Sequence, residues 1–173
     1  WKHKLALLQE LGRIEEALDA LNQAIEHNPE DHSAWYNRGL ALAAMARPEE
    51  AMESYDRAIQ LEPNYHHAWR DKGRLLFSQG KEQDALKALD SALEIEAKDP
   101  ETHFAKGEIL CRLHDNPRAI DSFDTALKLN PTNVLAWNHR GFVQLEMGNY
   151  EGAFASFDKA LEVDPDSDRS WRN

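Results

Sequence analysis

The chain has 173 residues, with 20 Lys and Arg against 31 Asp and Glu, for a net charge of −11. That length suits one domain, and a 42% hydrophobic content is enough for a core. No run approaches the ~18 apolar residues of a membrane span, and an acidic chain repels phosphate backbones, so neither a membrane nor a nucleic acid is the expected partner.

Cys111 is the single cysteine and cannot close an internal disulfide, which fits a reducing, cytoplasmic setting. The opening Trp1-Lys2-His3-Lys4 and the short apolar run after it lack a small-residue cleavage site. They are not read as a signal peptide.

All five tryptophans fall on one ruler. Trp1, Trp35, Trp69, Trp137 and Trp171 are separated by 34, 34, 68 and 34 residues, with His103 at the missing mark. A period of this length marks a repeated helical hairpin and a stack without a single central core. With tryptophan at position 4, the repeats are 1–31 (partial), 32–65, 66–99, 100–133 and 134–167, and residues 168–173 begin a sixth.

In chain order, the first repeat carries Leu5 at position 8, Gly12 at 15, Ala17 at 20, Leu21 at 24, Ala24 at 27 and Pro29 at 32. The second carries Gly39, Ala46, Ala51, Tyr55, Ala58 and Pro63 in the same columns, and the third Gly73, Gly80, Ala85, Leu89, Ala92 and Ala97. The fourth has Gly107, His114, Ala119, Phe123, Ala126 and Pro131; the fifth has Gly141, Gly148, Ala153, Phe157, Ala160 and Pro165.

Small residues at 8, 20 and 27 let two antiparallel helices approach closely. The large residues at 4 and 24 fill the space beside that contact. Proline at 32 stops the second helix. Glycine at 15 suits a left-handed residue ending the first helix. Repeats two and four lack it, and there Arg47-Pro48 and Asp115-Asn116-Pro117 place a proline to open the next helix. Two turn devices are therefore expected, with looser packing near 97–104, where Ala97 and His103 replace proline and tryptophan.

These columns, in phase over essentially the whole chain, resemble the tetratricopeptide repeat family. The resemblance implies an all-α fold: a right-handed superhelical solenoid of antiparallel helix hairpins. Its first helices line a concave groove that holds a peptide or protein segment, so the expected function is a non-catalytic interaction scaffold. It also implies that positions 2, 5, 6, 9, 12 and 13 of the first helix face the groove. Carried over here, the peptide-binding candidates are Tyr36, Asn37, Leu40, Arg70, Arg74, Phe77, Phe104, Glu108, Arg112, Asn138 and Phe142. Aromatic and arginine side chains are the types that anchor interfaces.

Arg70 and Arg74 are four apart and share a helix face. Either they form a positive spot for a carboxylate or acidic segment of the partner, or they pair with Asp71, Glu108 or other acids and neutralise the groove. The two-carboxylate clamp of some family members is not reproduced, since its slots hold Lys2, Ala6, Asn37, His67 and Asp71.

Two charged columns accompany the pattern. Position 7 is Lys4, Arg38, Lys72, Lys106 and Arg140, and position 25 is Asn22, Asp56, Asp90, Asp124 and Asp158. A ladder of ion pairs that sets hairpin register is expected, each pair worth about 0–1 kcal/mol if exposed.

No catalytic residue, metal site or cofactor is expected. His66 and His67 diverge by about 100° on a helix, no His-Glu-x-x-His or Cys-x-x-Cys spacing occurs, and the glycines follow the repeat and form no phosphate loop. Two alternative functions stand beside the scaffold. One is weak self-association through uncapped solenoid ends; the other is the targeting arm of an enzyme whose catalytic domain lies outside these residues.

Overall fold

The computed structural model describes residues 13–165. Among them are nine helices and no strand: α1 (Ile14–His27), α2 (His32–Ala44), α3 (Pro48–Leu61), α4 (His66–Ser78), α5 (Glu82–Ile95), α6 (Pro100–Arg112), α7 (Asn116–Leu129), α8 (Val134–Glu146) and α9 (Tyr150–Val163). First helices have 13 residues and second helices 14. Trp1, Leu5, Gly12 and Trp171 lie outside the described residues.

The chain parts into two compact units between Ile95 and Glu96. In the first unit α2 packs along α3 and α4 along α5, while α1–α2 and α3–α4 contacts join successive hairpins. In the second unit α6 packs along α7 and α8 along α9, joined by α7–α8 contacts.

Each hairpin closes on the glycine of its first helix. A Cβ added at Gly39 would lie 2.5 Å from the Tyr55 ring, and one at Gly107 would lie 2.5 Å from the Phe123 ring. Those rings are sealed, with Tyr55 2% and Phe123 0% exposed, and Ala51, Ala58, Ala119 and Ala126 are fully buried around them. The small columns thus set how near the helices come, and the large column fills what remains.

Every second helix stops at position 30. Asn28, Glu62, Asn130 and Asp164 follow with φ between −136° and −139°, each N–H donating to the position-27 alanine carbonyl. Helix α5 also ends there, at Ile95, although Ala97 stands in the proline slot. Proline at 32 therefore reinforces a stop that does not depend on it.

The tryptophans seal the junctions between hairpins. Trp35, Trp69 and Trp137 are half-buried, and their indole N–H groups donate to the carbonyls of Pro29, Pro63 and Pro131 at 2.9, 3.0 and 2.9 Å. His103 makes the same bond, Nε2 to the Ala97 carbonyl at 3.0 Å. The junction near 97–104 keeps this link because the imidazole, protonated on Nε2, places a donor where the indole had one.

The expectation of two turn devices is corrected. Ala46 and His114 take φ of 55° and 57°, beside 73° and 76° at Gly80 and Gly148. One left-handed residue thus ends all four described first helices, and the prolines add to it. The hairpin geometry is fixed by the packed helices, so alanine and histidine accept a conformation that costs an L-residue about 1–2 kcal/mol. Ala46→Gly should accordingly raise stability, by roughly 1 kcal/mol after glycine's greater unfolded-state entropy is set against it. Urea denaturation checks this; a loss of stability would show that the left-handed turn carries no strain.

Candidate functional site

Exposure divides the candidate groove residues into two sets. In the first unit Tyr36, Asn37 and Arg70 are buried, Leu40 and Phe77 are half-buried, and Arg74 is exposed. In the second unit Phe104 and Asn138 are buried, Glu108 is half-buried, and Arg112 and Phe142 are exposed.

The buried set is organised by one register. The Tyr36 hydroxyl donates to Asp71 Oδ2 at 2.7 Å, 35 residues on, and Arg70 Nε donates to Asp71 Oδ1 at 3.3 Å. Tyr65 meets the Tyr36 ring edge-on, with centroids 5.1 Å apart, and His67 stacks on it at 6.3 Å. In the second unit the same register sets Phe104 edge-to-face with His139 at 5.5 Å. At Tyr36 and Phe104, position 5 thus points at position 6 of the next hairpin and joins first helices to each other, whereas Arg70 bonds to Asp71 of its own helix.

Arg70 and Arg74 accordingly do not form one exposed positive spot. Arg70 is 2% exposed and held on Asp71, while Arg74, one turn further along, is exposed and makes no hydrogen bond or ion pair with the described residues. The reading in which an arginine pairs with Asp71 holds for Arg70.

The charged columns join successive hairpins. Lys72 Nζ lies 2.5 Å from Asp56 Oδ1 and Arg140 Nε 2.5 Å from Asp124 Oδ1, while Arg38 Nε donates to Asn22 Oδ1 at 2.9 Å. Each cation also lies over the tryptophan three residues before it, at 5.7 Å (Arg38), 5.5 Å (Lys72) and 5.9 Å (Arg140) from the ring centroid.

The arginines reach a second partner in their own hairpin. Arg38 Nη1 donates to Ser54 Oγ at 2.6 Å and Arg140 Nη1 to Ser156 Oγ at 2.6 Å. These position-23 serines were not singled out from the sequence. A partial signal existed: repeats two and five pair arginine at 7 with serine at 23 and repeat three pairs Lys72 with Ala88, although repeat four sets Lys106 beside Ser122. Guanidinium can bridge two acceptors in fixed directions where ammonium serves as a point charge.

A shallow hollow of about 380 Å³, lined by Met52, Trp69, Leu76 and Ala88, also contains Lys72 and Lys87. Both lysines are already paired, with Asp56 and Asp84, so it offers no uncompensated charge.

Burial raises the pKa of several acids. The Cys111 thiol is pushed up from 9 to about 11, first by burial and then by Glu146 and Glu108. Tyr36 and Tyr55 are raised far above 10, by burial first and by Asp71 second. The folded state holds protons here that the unfolded chain releases, so this stability is full below pH 9 and falls as pH climbs through about 11. Urea midpoints should drop steadily above pH 9, while Cys111 should resist alkylation at pH 8; rapid labelling by a thiol reagent in the native state would contradict this.

Among the described residues, no group of three or more His, Cys, Asp or Glu is arranged to hold a metal, and no helix is long and apolar enough to cross a membrane.

Family models described as tetratricopeptide repeats match residues 7–66, 42–109, 107–148 and 134–167. The chain belongs to the tetratricopeptide repeat family. Its all-α solenoid of helix hairpins agrees with solved structures. MamA from Desulfovibrio magneticus RS-1 is 23% identical over 96% of this chain and 94% of that one, with a TM-score of 0.81. YrrB, described as a TPR protein with an unusual peptide-binding site, is 24% identical over 93% and 83%, with a TM-score of 0.73. PilF from Pseudomonas aeruginosa is 18% identical over 92% and 73%, with a TM-score of 0.84. At these identities the likeness is one of fold. Comparison with curated protein sequences gave no match.

Proposed function

We propose that this tetratricopeptide repeat protein is a non-catalytic scaffold that holds a peptide or protein segment against its first-helix faces. The observation that carries this reading is the division of labour along the first helices. Residues in the repeated columns, and position 5, are used in packing. Unrepeated side chains further along the same helices remain at the surface: Arg74 in the first unit, Arg112 and Phe142 in the second. An exposed arginine in a chain of net charge −11 is a local attraction for a carboxylate or acidic segment, and an exposed phenylalanine is an apolar anchor. The likeness to YrrB, itself described by its peptide-binding site, supports the same class of partner. A reducing, cytoplasmic setting suits the lone half-buried Cys111.

The test is a peptide array probed with the purified chain and with Arg74→Glu and Arg112→Glu variants. Acidic peptides should be retained by the parent and lost several-fold by the variants. Equal retention would remove the acidic-partner reading, and no retention of any peptide would remove the scaffold reading.

A further inference from the structure

The hollow of about 380 Å³ lies among α3, α4 and α5. Its floor is apolar. Leu76 and Ala88 are nearly sealed, at 9% and 4% exposure, beside the half-buried Met52 and Trp69. Its walls are complete, since α4 packs against both α3 and α5, and all three helices stand away from either end of the sequence.

The columns explain why it is open. In two other hairpins the position-7 arginine crosses the equivalent place. Arg38 runs from Asn22 on the preceding second helix to Ser54 on its own, and Arg140 runs from Asp124 to Ser156. In repeat three, Lys72 takes Asp56 as its one hydrogen-bond partner among the described residues, because Ala88 carries no hydroxyl. At position 26, Ser91 stands where repeats two and five have the longer Arg57 and Lys159. Repeat three therefore lacks the atoms that bridge this place in repeats two and five.

The rim decides what can enter. Lys72 pairs with Asp56 at 2.5 Å and Lys87 with Asp84 at 3.1 Å, so the rim has no net charge. Each pair engages one of three ammonium donors and one of two carboxylate oxygens. A charged guest would lose hydration against a rim with nothing to offset it. A peptide unit has one N–H donor and one C=O acceptor, and it meets both kinds of rim atom without bringing a charge.

We propose that this hollow seats an apolar side chain from an uncharged segment of a partner protein. The side chain rests on Met52, Trp69, Leu76 and Ala88. The adjoining peptide N–H donates to a rim carboxylate, and the C=O accepts from a rim ammonium. This surface is separate from the first-helix faces of the proposed function and does not depend on them.

The probe is a blocked glycine–leucine–glycine tripeptide, titrated into the full chain. NMR follows the Trp69 indole N–H, which Trp69→Phe identifies. A saturable shift is expected. Affinity should be at least about tenfold above that of the same tripeptide with arginine or aspartate at its centre, the margin of a well-buried leucine. Lys72→Arg combined with Ala88→Ser rebuilds the bridge of repeats two and five and should abolish the shift. Ser91→Arg brings the repeat-two side chain to the mouth and should do the same, with an unchanged melting midpoint as the check that each variant is folded. Arg74→Glu should leave the shift intact, so this result and that for the first-helix faces are read apart. No saturable shift, or one that survives in the folded variants, overturns the proposal. Tighter binding of the arginine or aspartate tripeptide overturns it in favour of a charged partner.

Discussion

Asp71→Ala should lower stability by about 3–5 kcal/mol, the scale set by breaking a buried ion pair from one side. Asp71 is 8% and Arg70 2% exposed, so removal of the carboxylate takes a charged acceptor from a guanidinium closed off from water. It also takes the acceptor from the Tyr36 hydroxyl, which sits 2.7 Å from Oδ2. The loss should appear as a lower urea midpoint. A matched apolar replacement, Tyr36→Phe with Arg70→Met and Asp71→Leu, should recover most of it, since an uncharged core of similar volume needs no compensation. A cost below about 1 kcal/mol for Asp71→Ala would mean that water reaches the guanidinium, and that the cluster is not the buried joint between α2 and α4 described above.

The second large effect lies in the hairpin contact itself. Phe123 is 0% exposed, so Phe123→Ala should cost about 3–5 kcal/mol in lost burial and cavity. Gly107→Ala places a methyl 2.5 Å from the Phe123 ring and should cost about 1–3 kcal/mol by overpacking. The double variant should cost less than the sum, because the methyl at 107 enters space the ring has left. Thermal melts of the three variants measure the coupling. Strict additivity would show that the ring and the glycine do not share one space.

The same pair shows how much of the fold the sequence carries. Glycine at 8 and a large residue at 24 recur together, and the close approach in the structure is what that recurrence requires. The stop before position 32 and the salt-bridge columns are legible for the same reason: whatever repeats in sequence must meet the same neighbour in every hairpin. The left-handed turn at Ala46 and His114 was not legible, because its conformation is imposed by the helices on either side and not by the residue that adopts it.

The candidate site was legible only as a set of positions. Nothing local separates Arg70 from Arg74: both are arginines on one face of α4. Only the placement of Asp71 and the Tyr36 hydroxyl around Arg70 buries one and leaves the other at the surface. The same holds for Phe104 and Phe142, one closed in beside His139 and the other open. By itself the sequence determined the repeat, the hairpin and the columns that hold it, since periodic chemistry needs no knowledge of distant contacts. The tertiary structure decided which of the candidate positions are buried in packing and which stay at the surface, because burial depends on residues about one repeat away.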